Sequence, residues 1–189
     1  MKKLLLLGLA IVLFTSCQEK GPERWTESSP EIDIAKTLIK DYEDGNWADW
    51  IGHYADTAKV HHNSIESISP QQMQDALKSD ITNYGSYGFS HEEDDVFYEQ
   101  TINSNGNKWV NFWGVWEGTM KNTDKKFVIP VHISLKFVNN LIVEEWAYYN
   151  RSAIDAALKE MTVKAGDIIK ITREKDNNKT NYFRGVIDG

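Results

Sequence analysis

The sequence predicts an α+β fold, in which a mostly antiparallel sheet is packed around N-terminal helices. The main observation is the stretch from residue 108 to residue 149, where three segments rich in aromatic and β-branched residues are separated by two polar turns. Short turns between such segments favour antiparallel pairing of neighbouring strands. A second observation is that apolar residues after position 30 recur at helical spacing. Residues 108–149 are therefore expected to supply most of the core and most of any pocket.

The segment from Phe127 to Phe137 has the clearest strand pattern. Its apolar side chains alternate with a mostly polar set, and alternate residues of a strand point to opposite faces of the sheet. The expected core face consists of Phe127, Ile129, Val131, Ile133, Leu135 and Phe137. Asn139 and Asn140 tolerate positive φ, so they predict a tight turn into the last strand, Leu141–Tyr149.

The preceding segment, Trp109–Thr119, carries large apolar groups on both of its faces. Phe112 and Trp116 fall on one face, while Trp109 and Trp113 fall on the other. A strand of this kind is expected to be covered on both sides. We expect helices or a pocket on one side and a partner subunit on the other.

Two helices are predicted before the first strand. Apolar residues lie at helical spacing from Ile32 to Tyr42, with Ser28 or Ser29 as a candidate N-cap and Pro30 in the first turn. The Asp-Gly-Asn sequence at 44–46 ends this helix. The segment from residue 47 to residue 54 then predicts a second, short helix.

Residues 58–106 predict, in order, a strand, a helix, a loop, a second strand and a hairpin turn. Ala58–Asn63 predicts a strand, and Ser69-Pro70 begins a third helix that runs to about Asn83. Tyr84–Gly88 contains two glycines and predicts a loop. Ser90–Ile102 predicts a further strand, and Asn105-Gly106 is typical of a hairpin turn.

Composition limits the size and the partners of the protein. The chain has 189 residues, which corresponds to about one domain. Its net charge of −7 argues against nucleic acid as a partner, because phosphate binding needs a clustered basic patch. The sequence contains no glycine-rich nucleotide-binding loop of the dinucleotide or Walker type, and no cofactor is predicted.

Residues 1–17 have the features of a processing signal rather than of a folded segment. Lys2 and Lys3 precede the apolar stretch Leu4–Phe14, which is too short to span a bilayer. Small residues then lead to Cys17, the only cysteine, so no intrachain disulfide can form. This pattern resembles a bacterial lipoprotein signal, which implies membrane anchoring through a lipidated Cys17 on the periplasmic or outer-membrane side of the cell envelope. An ordinary secretory peptide is the alternative, and the polar residues 18–30 are expected to form a tether.

Two stretches of the sequence carry a resemblance to a known family. They are GNWADWIGHYADTAKV near the start and FVNNLIVEEWAYYN near the end. With the order helix, helix, strand, helix and four strands, residues 31–158 resemble the nuclear transport factor 2-like superfamily and its SnoaL-like polyketide cyclase branch. The resemblance implies a cystatin-like cone, in which a curved sheet wraps around the first helix and leaves a small-molecule pocket at its open end. The superfamily includes isomerases, cyclases, dehydratases and non-catalytic domains, so the fold does not define the function.

Residues 159–189 form a C-terminal extension outside this resemblance. Asp167–Thr172 and Asn181–Ile187 predict two short strands around a turn at residues 176–178.

His62 is the first candidate for a catalytic residue. Where the sequence resembles the ketosteroid isomerases, His62 occupies the position of their general-base aspartate. An unperturbed histidine pKa of about 6.5 suits proton abstraction near neutrality. In the same resemblance, the tyrosine and the protonated aspartate of those isomerases fall on Leu38 and Ile133. These two apolar side chains cannot donate hydrogen bonds to a developing enolate. We therefore reject steroid isomerisation itself.

The last strand supplies two further candidates. The resemblance to the ketosteroid isomerases implies that Glu145, Ala147 and Tyr149 face inward and that Glu144, Trp146 and Tyr148 face outward. A buried Glu145 close to His62 would form an acid–base pair, with Tyr149 as a further partner. The alternative is that Glu145 lies in solvent at the cone mouth or pairs with Lys136.

A catalytic role is not predicted for the remaining histidines. His132 faces away from the apolar set of its strand, so it lies either at a subunit contact or, if the sheet is twisted enough, in the pocket. His61 alternates away from His62, and the sequence shows no partner for His53 or His91. A metal site is not predicted, because adjacent strand residues point apart and no third ligand has zinc-like spacing.

Aromatic residues are concentrated in the last strands of the predicted sheet. They are Trp109, Trp113, Trp116, Trp146, Tyr148 and Tyr149. This set could form an aromatic cleft for a flat or sugar-like ligand, with Asn111, Trp113, Trp116 and His132 as the candidate ligand contacts. Plain core packing or a dimer interface is the alternative for many of them.

Two functions stay open from the sequence. The first is a lipid-anchored envelope domain that holds a small, largely apolar molecule and transfers a proton on it, with His62 as base and Glu145 or Tyr149 as partner. The second is a non-catalytic module that binds a ligand or an envelope protein through its aromatic sheet face. Because members of the superfamily commonly pair through the outer sheet face, the resemblance also implies a homodimer.

Overall fold

The structure is a computed structural model that describes residues 24–92 and 94–162. The strands in this part of the chain are β1 (Trp25–Thr26), β2 (Tyr54–His62), β3 (Tyr84–Phe89), β4 (Val96–Ile102), β5 (Lys108–Met120), β6 (Lys126–Val138) and β7 (Leu141–Tyr149). The helices are α1 (Pro30–Asp44), α2 (Trp47–Gly52), α3 (Pro70–Ile81) and α4 (152–162). None of the helices described is long and apolar enough to cross a membrane.

The strands form one curved sheet in the order β1-β4-β5-β6-β7-β2. Strand β3 also pairs with β5, beyond the point where β4 ends, so β3 and β4 lie end to end along the same edge of β5. All pairings are antiparallel except that of β2 with β7, which is parallel. The prediction of an α+β fold with a mostly antiparallel sheet is confirmed.

Local sequence fixes both ends of α1. Ser29 is the N-cap, because its hydroxyl accepts a hydrogen bond from the backbone N–H of Ile32 at 3.1 Å. At the other end Gly45 adopts a φ of 70°, a left-handed conformation that glycine takes at little cost, and its N–H bonds the carbonyls of Asp41 and Tyr42. The buried side chains of Ile32, Ala35 and Leu38 pack α1 on the inner face of the sheet.

Strands β5, β6 and β7 match the predicted segments within a residue or two at each end. The inner face of β6 contains the expected apolar set, and Leu135 in its middle is only 1% exposed. On β5, Val110 and Phe112 are buried, whereas Trp113 on the opposite face is 40% exposed. One side of β5 is therefore core, and its outer side is open in a single chain.

Strand β3 was not expected from the sequence, which predicts a loop at Tyr84–Gly88. Tyr84 and Phe89 at its ends are buried, and their rings lie edge-on to Trp116 and Phe112. Packing on β5 therefore outweighs the low strand propensity of the glycines. The next strand starts at Val96 rather than at Ser90, because Asp94 and Asp95 lie in a turn.

The ends of the domain also differ from expectation. Trp25–Thr26, within the predicted tether, form β1 by pairing with Gln100 and Thr101 of β4. Residues 152–162 form α4, whose Ile154 is buried. The predicted processing signal at 1–17 and the predicted strands at 167–172 and 181–187 lie outside the described residues.

Candidate functional site

A cavity of about 200 Å³ lies between the inner face of the sheet and helices α1, α2, α3 and α4. Most of its wall is apolar, and these side chains are Leu38, Ile39, Trp50, Met73, Ala76, Leu77, Phe89, Ile129, Val131, Ile133, Ala147 and Ile154. Apolar walls with a few convergent polar groups are typical of small-molecule sites. Leu38 and Ile133 are part of this apolar wall.

The principal polar group of the cavity is a hydrogen-bonded chain of four side chains. His62 Nε2 lies 2.7 Å from Oε1 of Glu145. The other carboxylate oxygen of Glu145, Oε2, accepts a hydrogen bond from the hydroxyl of Tyr54. His62 Nδ1 lies 3.1 Å from the hydroxyl oxygen of Tyr149. The two strands β2 and β7, which pair in parallel, supply all four residues.

Burial makes the hydrogen bonds to Glu145 necessary. Glu145 is 3% exposed and lies in the interior of the sheet, opposite Leu135 of β6 and Val60 of β2. A carboxylate removed from water is costly unless donors satisfy its oxygens. Burial, with a further contribution from Glu145 itself, raises the pKa of Tyr54 well above its usual value. The Tyr54 hydroxyl therefore keeps its proton and acts as a hydrogen-bond donor to Glu145.

The contact with Glu145 determines which nitrogen of a neutral His62 carries the proton. A carboxylate only accepts, so Nε2 of His62 is the N–H donor and Nδ1 keeps a lone pair. That lone pair faces the hydroxyl of Tyr149. Burial raises the pKa of Tyr149, and the nearby guanidinium of Arg151 opposes this rise. The nitrogen of His62 that can take up a proton is therefore on the side of Tyr149.

Charged groups lie at the cavity wall beside Tyr149. Arg151 Nη2 donates to Asp80 Oδ1 at 3.0 Å, and Arg151 Nε donates to Asp155 Oδ1 at 2.8 Å. Asp80 and Arg151 both line the cavity. Since Asp80 belongs to α3 and Asp155 to α4, these ion pairs connect the two helices.

The structure brings together His62, Glu145 and Tyr149, the three candidate catalytic residues, and their catalytic role stays a prediction. The alternative pairing of Glu145 with Lys136 does not occur, because Lys136 lies 3.6 Å from Glu144 instead. Glu145 and Tyr149 face the interior and Tyr148 faces outward, as strand alternation predicts.

Sequence reasoning missed Tyr54 as a member of this chain of side chains. The predicted strand begins at Ala58, so the alternation that turns His62 inward is not followed back to Tyr54. Strand β2 in fact begins at Tyr54, whose ring packs on that of Trp50 with centroids 4.8 Å apart. Tyr42 was also missed, although its hydroxyl accepts a hydrogen bond from Trp116 Nε1 at 3.0 Å at the cavity wall.

The expected aromatic cleft is corrected by the structure, because its members lie on two different surfaces. Trp116 and Tyr149 line the cavity. A row of six stacked or tilted rings crosses the outer face of the sheet instead, in the order His61, Trp146, Tyr148, His132, Trp113 and Phe97. We call this set the aromatic row.

The candidate ligand contacts are divided in the same way. Trp116 reaches the cavity, whereas Asn111, Trp113 and His132 lie on the outer face of β5 and β6. Asn111 accepts a hydrogen bond from Ser134 at 2.6 Å. Of the two placements considered for His132, the structure shows the outer face. A ligand contact by these three residues would therefore be a contact with the outer surface.

Two other histidines have polar neighbours in the fold. His132 Nδ1 lies 3.2 Å from the carbonyl oxygen of Phe112. The sequence shows no partner for His53, yet its Nε2 lies 2.8 Å from Asp41 Oδ2, which joins the end of α2 to α1. Within residues 24–92 and 94–162, no three His, Cys, Asp or Glu side chains are grouped to hold a metal ion.

The sequence matches no protein-family model and no curated protein. The fold, in contrast, is similar to those of many solved structures. A candidate SnoaL-like polyketide cyclase from Shewanella putrefaciens has a TM-score of 0.53 and 14% identity, over 71% of this chain and 88% of that one. An NTF2-like protein from Burkholderia xenovorans has a TM-score of 0.52 and 14% identity, over 70% of this chain and 98% of that one.

A third similar structure is a Catenulispora acidiphila protein with a ketosteroid isomerase-like fold, in complex with trimethylamine. Its TM-score is 0.50 at 13% identity, over 64% of this chain and 87% of that one. At such low identity these similarities concern the fold. The described part of the chain therefore has the nuclear transport factor 2-like fold, which it shares with SnoaL-like and ketosteroid isomerase-like proteins.

Proposed function

We propose that the protein binds a small, largely apolar molecule in the cavity and transfers a proton on it, as in an isomerisation, an aldol cyclisation or a dehydration. The observation that carries this proposal is the 2.7 Å contact between His62 Nε2 and Glu145 Oε1 inside a mostly apolar cavity. A histidine held in one orientation by a buried carboxylate is an arrangement that supports general base catalysis. The similar folds support the proposal, because they include a candidate polyketide cyclase.

The hydrogen bonds define a sequence of steps for a substrate that carries a carbonyl group. In the unliganded site the hydroxyl of Tyr149 donates to His62 Nδ1. A substrate carbonyl oxygen can replace Nδ1 as the acceptor of this hydrogen bond, which frees Nδ1. Nδ1 then takes a proton from the carbon next to the carbonyl, and the electron pair of the broken C–H bond moves toward the oxygen. The Tyr149 hydroxyl stabilises the negative charge that develops there.

Glu145 contributes after this proton transfer. His62 becomes an imidazolium, and the carboxylate 2.7 Å away stabilises its positive charge in a largely buried site. Tyr54 keeps the second oxygen of Glu145 satisfied, so the carboxylate does not turn away. The proton then returns from Nδ1 to another atom of the substrate in an isomerisation, or to a departing hydroxyl in a dehydration.

This proposal is tested by replacing His62 with glutamine. A glutamine amide can still donate a hydrogen bond to Glu145, so the fold is expected to persist. It cannot take up a proton, so it cannot act as the base. We first expect a screen of lipids, sterols, polyketide-like aromatics and sugars to give a compound that raises the melting temperature of the protein. Turnover of that compound is then expected to fall by about 10²–10⁴-fold in His62→Gln. The control is His91→Ala, because the side chain of His91 is 83% exposed. Equal turnover in His62→Gln and the unmodified protein would contradict the proposal.

A second function is favoured by the aromatic row on the outer face. Trp113 and Tyr148 are 40% and 51% exposed, and Phe97 next to Trp113 is 43% exposed. Clustered exposed aromatic side chains are typical of protein interfaces. We propose that this surface forms a homodimer contact. In a non-catalytic module, the same surface would instead bind a ligand or another envelope protein.

The dimer contact is tested by Trp113→Ala. Removal of a central aromatic anchor is expected to raise the dissociation constant of the dimer about tenfold or more, measured by sedimentation. The matched control is Ile65→Ala, because Ile65 is 89% exposed and lies outside the aromatic row. A protein that stays monomeric at high concentration, or a Trp113→Ala dimer of unchanged affinity, would contradict this contact.

We further propose that Cys17 is a lipid-attachment site that holds the protein at the cell envelope. The proposal rests on the charged, apolar and small-residue pattern of residues 1–17. Growth with a radioactive fatty acid is expected to label the protein but not the Cys17→Ser variant. Equal labelling of the two proteins would contradict attachment at Cys17.

A further inference from the structure

A second cavity, of about 310 Å³, lies between α1 and strands β3, β4 and β5. Ile39 and Phe89 line both this cavity and the first one, whereas none of His62, Glu145 and Tyr149 lines the second. The second cavity therefore shares a wall with the candidate active site but not its polar residues.

The floor of the second cavity is apolar and closely packed. Phe112 is 1% exposed and Phe89 is 9% exposed, and their rings meet edge to face with centroids 5.0 Å apart. The ring of Tyr98 lies 4.9 Å from that of Phe112. Such a floor suits a small aryl or short alkyl group.

Two polar groups at this cavity have no partner among the residues that the structure describes. Burial raises the pKa of Tyr98, with a smaller contribution from Glu43 and none from a hydrogen bond, so its hydroxyl is a protonated donor without an acceptor. The ammonium of Lys36 lies over the Tyr98 ring, 5.7 Å from the centroid, and forms no ion pair with a described carboxylate. An anionic acceptor could satisfy both groups.

The carboxylates on the same wall already have partners. Asp44 is paired with Lys40 one helical turn away. Glu43 Oε1 accepts a hydrogen bond from the backbone N–H of Phe89 at 2.7 Å and lies 3.8 Å from His91 Nε2. Among the described cations of this wall, Lys36 is the one without an ion pair, and it is exposed beside the ring of Tyr98.

We propose that this second cavity binds a small amphipathic carboxylate. Its apolar body lies on the floor formed by Phe89 and Phe112, and its carboxylate is bound by the ammonium of Lys36 and the hydroxyl of Tyr98. Charge-assisted hydrogen bonds of this kind are stronger than neutral ones, which gives the site a preference for an anion over a neutral compound of the same shape. The site is separate from the proposed function and does not depend on it.

The test uses benzoate, phenylacetate and 3-phenylpropionate, each with its neutral amide as a probe of charge. Binding to the purified protein is followed by NMR. We expect at least one carboxylate to bind saturably at millimolar concentration and more tightly than its amide. Tyr98→Phe, which removes only the hydroxyl, and Lys36→Gln are each expected to weaken that binding about three- to tenfold. Lys59→Gln, at an exposed position of β2, is the matched control for charge, and His62→Gln is the control for the first cavity.

The binding of the carboxylates to the variants either supports or overturns the second site. Weaker binding in Tyr98→Phe and Lys36→Gln, with unchanged binding in both controls, supports the second site. Binding that is lost in His62→Gln but unchanged in Tyr98→Phe and Lys36→Gln places the carboxylate in the first cavity and overturns the proposal. Absence of saturable binding for all three carboxylates also overturns it, whatever the result for turnover at His62.

Discussion

The buried carboxylate of Glu145 is the constraint on which the candidate site depends. An ionised group in the interior of a sheet costs several kcal/mol unless neighbours stabilise its charge. Strand β7 holds Glu145 between β6 and β2, and the residue is only 3% exposed. The hydroxyl of Tyr54 and Nε2 of His62 satisfy its two oxygens. These contacts, in turn, fix the ring of His62 with Nδ1 toward Tyr149.

The alternation of side chains along the strands divides the protein into two surfaces of different character. On β7 the inward residues Glu145 and Tyr149 line the cavity, whereas the outward residues Trp146 and Tyr148 belong to the aromatic row. A shift of one residue in strand register would exchange the two sets. The inner surface suits chemistry on a small molecule, and the outer surface suits association. A substitution on one surface can therefore leave the other intact.

Strand alternation is also the reason why part of the site could be predicted. It places Glu145 and Tyr149 on one face and separates His61 from His62, and the resemblance to the ketosteroid isomerases indicates that the face of Glu145 and Tyr149 is the inner one. The same rule separates Trp113 from Trp116, which are three residues apart on one strand and so face opposite sides. A single aromatic cleft that contains both residues is inconsistent with this spacing.

The parts that could not be predicted depend on contacts between distant segments. Tyr54 reaches Glu145 only because β2 pairs in parallel with β7, a pairing of residues about ninety positions apart. Strand β3 forms because Tyr84 and Phe89 pack on β5, despite glycines that locally favour a loop. The second cavity arises from the position of α1 over β4 and β5, which no local pattern determines.

The most direct test of the account is the tautomer of His62, read from the ¹⁵N chemical shifts of its ring nitrogens at a pH where the ring is neutral. We predict that Nε2 carries the proton, because it donates to Glu145, and that Nδ1 is unprotonated and free to act as a base. A proton on Nδ1, or an equal mixture of the two tautomers, would contradict it. In that case Glu145 would not orient His62, and the nitrogen beside Tyr149 would have no lone pair with which to accept a proton.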